Sequence, residues 1–178
     1  MMPVSPVVSP FVRSSDLDRV LAARSPDLVA RLVALPEELE LHLRIRHEVF
    51  VGEQAIFAGT DRDALDIDGT ALYILGTCDG VAAGAVRLYP VDPPELTWQG
   101  DRLAVLPAFR AHGLGKPLVR LAVRTAALRG GRVMRAHIQL ANVRFFQRLG
   151  WEAVGEPEPY CGLPHQGMEI DVQAHAWD

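Results

Sequence analysis

Residues 102–117 read RLAVLPAFRAHGLGKP, and this stretch decides the fold. The apolar run Trp98–Val105 predicts a strand, and Pro107 stops it because proline has no N–H to give a ladder. A helix then opens at Gly113, Leu114 and Gly115. The start of a helix carries backbone N–H groups without intrahelical partners and a partial positive charge, which together make an anion site. Glycine there lets a ligand approach the backbone where a Cβ would block it. Arg110 and Lys116 add formal charge on either side, His112 lies between them, and Lys116 is the only lysine of the chain. The pattern is neither the GxxxxGK(S/T) phosphate loop nor the GxGxxG dinucleotide turn. On spacing alone, Gly-Leu-Gly serves equally well as a structural turn.

Downstream, Gly113 to Arg129 predicts the strongest helix, with Leu114, Leu118, Leu121, Ala122 and Thr125 on one stripe and Gly130 and Gly131 ending it. Arg132–Gln139 predicts a strand. Asn142 then caps a short helix to Leu149, stopped by Gly150. Trp151–Val154 and Met168–Val172 supply two last strands, separated by a turn-rich stretch with Pro157, Pro159, Gly162 and Pro164. Upstream, Pro90–Pro94 is a connection, and Ala71–Thr77 and Val81–Tyr89 form a hairpin around Cys78, Asp79 and Gly80. Residues 51–70 form a long polar loop with aspartates at 61, 63, 66 and 68, and loops of that length are commonly functional. Leu28–Leu35 is a first strand. Pro36 fits the first turn of a helix in which Glu37 and Glu38 face the positive dipole end and Leu39, Leu43, Arg46 and Phe50 follow on neighbouring turns. The resulting order, β-α-β-β-β-α-β-α-β-β, is a mixed α/β domain over residues 28–178. Residues 1–27 form an extension without the marks of a signal peptide, with a short helix capped by Ser15 running to Ala23.

About half of the 178 residues are apolar (49%), enough for the core of one domain, which excludes general disorder. A formal charge of -4 gives no basic nucleic-acid footprint. Cys78 and Cys161 are too few for a disulfide framework. No apolar run reaches the roughly 18 residues of a membrane span. Composition therefore predicts a soluble, cytoplasmic protein.

The full pattern around the loop is more specific than its glycines. RAHGLG (110–115) resembles the Q/R-x-x-G-x-G/A motif of the GNAT superfamily of N-acetyltransferases. LAVLP (103–107) is similar to that family's central strand, and NVRFFQRLGW (142–151) to its Asn…LGF segment. The likeness covers about residues 28–173. A narrower likeness joins LRIRHEVFVGEQ (43–54) and GLPHQGM (162–168) to the ElaA-like branch. With Trp98 ahead of RLAV (102–105), the pattern is also similar to acetyltransferases associated with nitrogen starvation. The segment from Arg44 to Glu53, followed by spaced aspartates, further resembles acyl-homoserine-lactone synthases, which share the fold.

The resemblance implies the GNAT fold: a mixed, mostly antiparallel central sheet with splayed parallel central strands, flanked by helices. It implies acetyl-CoA as acyl donor and the amine of a small molecule as acceptor, in a monomer or homodimer with no metal, nucleic acid or membrane. Carried over by position, Leu103, Ala104 and Val105 would pair with the pantetheine arm and offer a backbone N–H to the thioester oxygen. Arg110, Ala111, His112, Gly113, Leu114, Gly115 and Lys116 would wrap the pyrophosphate, and Asn142 and Phe145 would contact the distal pantetheine.

Aminolysis of a thioester needs a deprotonated amine, a donor at the developing oxyanion and a proton for the leaving thiolate. Many family members supply that last proton from a tyrosine four residues before the glycine of the LGF segment, where this chain has Phe146. Tyr160, Cys161, His165 or water alone would then have to serve. Glu53 is the carboxylate candidate for the base, with a partner for Arg44 or Arg46 as its plain alternative. His165 would shuttle a proton, or hold a turn. The four aspartates make a calcium loop without EF-hand spacing, a rim that attracts a cationic amine, or a solvated loop. His112 and His137 are too scattered to argue for zinc. Besides acetyl transfer, two other readings fit the sequence: a homoserine-lactone-synthase-like reaction, and a CoA-binding sensor that has lost catalysis.

Overall fold

The computed structural model describes residues 25–92 and 96–176. The helix expected over Ser15–Ala23 lies outside them, as does part of the connection after Pro90. The elements are β1 (Leu28–Leu32), α1 (Pro36–His47), β2 (Leu72–Cys78), β3 (Val81–Asp92), β4 (Thr97–Val105), α2 (Gly115–Leu128), β5 (Val133–Gln139), α3 (Val143–Gln147), β6 (Glu152–Tyr160), β7 (Leu163–Asp171) and α4 (Val172–His175). This is the order expected, with a terminal helical turn added. The seven strands form one sheet, β1-β2-β3-β4-β5-β7-β6, antiparallel throughout except between β4 and β5.

Helix α2 covers one face of the sheet and α1 the other. Beneath α2 lies the larger core, where Leu114, Leu118 and Ala126 are fully buried against Ile74, Leu88 and Met134. Leu121, expected on this stripe, is only half-buried, and Val119 and Val123 bury in its stead. Beneath α1 a smaller cluster joins Ile45, Val49 and Phe50 to Leu75, Ala85 and Ala104.

Four expectations are corrected. β1 ends at Leu32, ahead of Leu35. The first helix passes into a wide π-helical turn, Glu48–Glu53, and its most buried residues are Glu38, His42, Ile45 and Arg46 rather than Leu39 and Leu43. Asn142 stands at the start of α3, but its side chain makes no capping bond. The last two strands run far longer than Trp151–Val154 and Met168–Val172, straight through Pro157, Pro159 and Pro164. β6 is an edge strand, where a missing N–H costs no ladder bond, and its register shifts between Val154 and Glu158.

His42 lies on the inner face of α1 with no exposed surface; its Nε2 donates to the Val86 carbonyl at 3.2 Å and its Nδ1 has no partner among the described residues. Burial, reinforced by the charge of Arg46, lowers its pKa from 6.5 to about 4. The unfolded chain therefore binds a proton that the folded chain refuses between those two values. Stability attributable to this residue is intact above pH 6.5 and falls as pH drops towards 4, by about 3 kcal/mol in all. Urea unfolding of His42→Phe should show a flatter pH dependence across that window. An unchanged slope would mean that other groups carry the acid sensitivity.

Candidate active site

β4 and β5 pair over only three residues, Thr97 with Val133, Trp98 with Met134 and Gln99 with Arg135, and then part. The cause lies within β4. Ala85 faces Ala104 and Arg87 faces Asp101, so Arg102 and Leu103 together oppose Val86. Such a bulge bends and twists its strand, and Arg102 at its centre has φ 51°. Beyond Gln99, the edge of β4 towards β5 has no strand partner among the described residues. A cavity of about 930 Å³, counting its open mouth, fills the gap and reaches both faces of the sheet. On the α1 side it is lined by polar and aromatic groups, among them Asp101, Arg102, His137, Tyr160 and His165. On the α2 side its walls are apolar, from Val119 to Trp151.

The glycine loop lies at the C-terminal end of β4. Residues Pro107–His112 make a 3-10 turn, Gly113 adopts φ 85°, and α2 starts at Gly115, two residues later than expected. Only glycine takes that left-handed conformation without strain, and the space beside it is open, with nothing within 4 Å of where a Cβ would stand. Leu114 is fully buried, so its side chain anchors the loop and only its backbone is available to a ligand. A Cβ on Gly115 would lie 3.2 Å from the Phe145 ring, which closes over the helix start. Ala111, His112 and Lys116 are exposed, and His112 Nδ1 lies 3.5 Å from the Cys78 sulfur. Asn142 is exposed and lines the cavity. Leu103 and Val105 pack partly against the core under α2, whereas Ala104 is buried under α1.

Glu53 is not where its expected role needs it. Its carboxylate accepts a paired hydrogen bond from Arg110, with Nη1 to Oε1 at 2.7 Å, while Arg110 Nε holds the Val105 carbonyl at 3.0 Å. Glu53 does not line the cavity, and the Arg110 contact holds its pKa below the usual carboxylate value. A stabilised carboxylate away from the cleft is a poor base; it orients Arg110. His165 does line the cavity, 6% exposed, and its Nδ1 lies 2.9 Å from the Leu163 carbonyl. That contact fixes the proton on Nδ1 in the neutral ring, leaving the Nε2 lone pair free to accept one. Tyr160 packs edge-on to His165 and stacks on His137, its ring centroid 4.4 Å away, and burial raises its pKa. Phe146, in the place of the family's tyrosine, is buried edge-on against Trp151 and belongs to the core.

Three of the four aspartates of the loop are paired to buried arginines. Arg46 and Arg87, both with no exposed side-chain surface, reach into it. Arg46 binds Asp61 at 2.7 Å and Asp66 at 2.8 and 2.9 Å; Arg87 binds Asp63 and Asp101 through two bonds each at 2.7–2.8 Å. Arg102 joins Asp61 and Asp63 and covers the Phe57 ring at 4.5 Å. Burial alone would raise the pKa of Asp66, but the Arg46 contact overrides it and holds the carboxylate far below its usual value. Of the four aspartates, Asp68 alone bonds only locally, to Thr70. The signal was present in the sequence as Arg87, a charge in the middle of an apolar strand. Such a residue is buried only with partners.

The model of the acetyltransferase (GNAT) family matches residues 39–151. The chain is 29% identical over 174 residues to an acyl-homoserine-lactone synthase of Ralstonia nicotianae, covering 79% of this chain and 85% of that one. An acyl-CoA N-acyltransferase from Pseudomonas aeruginosa superposes with a TM-score of 0.68 at 28% identity, over 82% of this chain and 99% of that one. Escherichia coli ElaA superposes with a TM-score of 0.70 over the same shares at 23% identity, a likeness of fold.

Proposed function

Because the chain belongs to the acetyltransferase (GNAT) family and is therefore an acyltransferase, we propose that it moves an acetyl group from acetyl-CoA to the amine of a small molecule. The observation that supports this most directly is the junction of an unpaired strand edge with an open glycine turn. β4 loses its partner after Gln99, and the turn at Gly113 follows where β4 ends. An arm with amide groups would pair along that edge, and the phosphates at its far end would meet the helix start and Lys116.

The acyl-CoA supplies an activated thioester. The backbone of β4 near the bulge offers a fixed N–H to the oxyanion, in a cleft where water is displaced. His165 Nε2 takes the proton of the amine as nitrogen attacks the carbonyl carbon. The C–S bond breaks as the amide forms, and the proton returns to the departing thiolate from His165 or from water. Glu53 keeps Arg110 aligned on the loop, and Asn142 and Phe145 flank the mouth.

Release of free thiol from acetyl-CoA across a panel of small amines tests the proposal. Tight CoA binding with no turnover on any amine would replace it with the sensor reading. Two variants examine the loop by calorimetry. Gly113→Ala should weaken CoA about tenfold, because an L-residue at this φ costs about 1–2 kcal/mol and its Cβ enters the open space. Lys116→Ala should weaken CoA about fivefold, in line with about 1 kcal/mol for an exposed charge pair, and leave phosphate-free pantetheine untouched. Equal losses for both ligands would show that Lys116 acts through stability.

A further inference from the structure

α1 packs on β2, β3 and β4. Beyond it, a second cavity of about 660 Å³, counting its open mouth, lies along β5, β7 and β6. The path of β6 creates this trough. Val154 pairs with Gly167 and Glu158 with His165, so Gly155, Glu156 and Pro157 all stand opposite Gln166. The surplus bows β6 away from β7. Gln166, 8% exposed, fixes the bow with its Nε2 at 3.0–3.1 Å from the carbonyls of Val154, Gly155 and Gly167. Gly167 adds no side chain to the trough; a Cβ there would stand 3.2 Å from the Val154 carbonyl oxygen.

The charge of the trough is one-sided. Glu169 lies 3.6 Å from Arg135, but Glu156 and Glu158 line the same walls with no ion-pair partner among the described residues. An observation independent of charge comes from His165. It is 6% exposed, its Nε2 has no hydrogen-bond partner among the described residues, and it lines this trough as well as the cleft. Glu158 is its cross-strand partner, which puts the two Cβ atoms about 4.5–5.5 Å apart on one face. The trough therefore opens into the cleft at His165, with a free carboxylate beside the opening.

Resting on the acyltransfer reading above, we propose that the acceptor is a linear diamine lying along this trough. One amino group meets His165 Nε2 and is acylated, while the other stays protonated between Glu158 and Glu156. An alkylamine keeps its proton at neutral pH as lysine does, with a pKa near 10.4. Two residues of strand, the step from His165 to Gly167, span about 7 Å, a length that a chain of about four or five carbons bridges. The mono-acetylated product has lost its remote cation, so transfer stops after one amine.

Thiol release from acetyl-CoA by the full chain tests the proposal, with cadaverine, pentylamine and ω-aminopentanoate as acceptors. The three share a chain and an amine, and differ in whether the far end is cationic, neutral or anionic. Two exposed charge pairs together contribute about tenfold. Cadaverine should therefore have a kcat/KM about tenfold above pentylamine, mostly through KM, with ω-aminopentanoate lowest. Glu156→Gln combined with Glu158→Gln should bring cadaverine and pentylamine level. Glu158→Lys should favour ω-aminopentanoate over cadaverine, a gain that misfolding cannot imitate. Equal kcat/KM for cadaverine and pentylamine in the unmodified chain overturns the proposal, and so does a cadaverine preference that survives the double substitution. Thiol release with none of the three overturns the acyltransfer reading itself, so the two failures are distinct.

Discussion

Arg87→Ala should destabilise the protein by about 3–5 kcal/mol, enough to bring a domain of ordinary stability close to unfolding at moderate temperature. The size of the effect comes from what is left behind. The Arg87 side chain has no exposed surface, and its removal takes both short hydrogen bonds from Asp101, whose side chain is 10% exposed and keeps only Arg102 at 3.8 Å, and a contact from Asp66, at 4%. Carboxylates that lose their closest counter-charge at that depth must be re-solvated or protonated, and either requires the loop to open. Arg87→Lys should recover only part of the loss, because one ammonium cannot replace a planar fork bonded to Asp63 and Asp101 at once. Arg31→Ala, which breaks a pair with a half-exposed arginine, should change stability by less than about 1 kcal/mol. Urea midpoints of the three variants decide the matter. A loss for Arg87→Ala no larger than that for Arg31→Ala would show that the network is replaceable.

His165→Ala should lower kcat by about 10²–10⁴-fold, the range for loss of a positioned base, with a much smaller change in KM. The contact of Nδ1 with the Leu163 carbonyl presents the free nitrogen to the cleft, and the Tyr160 ring restricts its rotation. Tyr160→Phe keeps the ring packing and should cost about tenfold or less, since burial raises the phenol pKa and makes it a reluctant acid. Rates like the unmodified enzyme in both variants would leave proximity and the backbone oxyanion donor as the whole of catalysis.

What could be read from the sequence was set by local chemistry. Proline at 107, glycine at 113 and the apolar repeat of α2 each act within a few residues, and each announced its element. The glycine loop was legible for the same reason, and so was the order of the elements along the chain. The prolines of β6 misled because proline marks a turn in isolation and is neutral on a sheet edge, and edge position is a property of the whole sheet. Glu53 misled because its partner, Arg110, lies 57 residues away. The arginine network joins residues 14 to 41 positions apart, so a run of aspartates looked like a solvated loop. Charge in a sequence reveals its sign but not its neighbours.

The parting of β4 from β5 also has a consequence for where the fold yields. In most sheets the backbone amides that exchange first lie at the edges, and the centre exchanges last. Here the gap lies between two central strands, so the slow interior of the protein contains a fast seam. Among residues 100–105 and 136–139, deuterium should enter the amides that face the gap ahead of those bonded to β3 and β7. A bound pantetheine arm would fill the seam and reverse that order, acting as a temporary eighth strand.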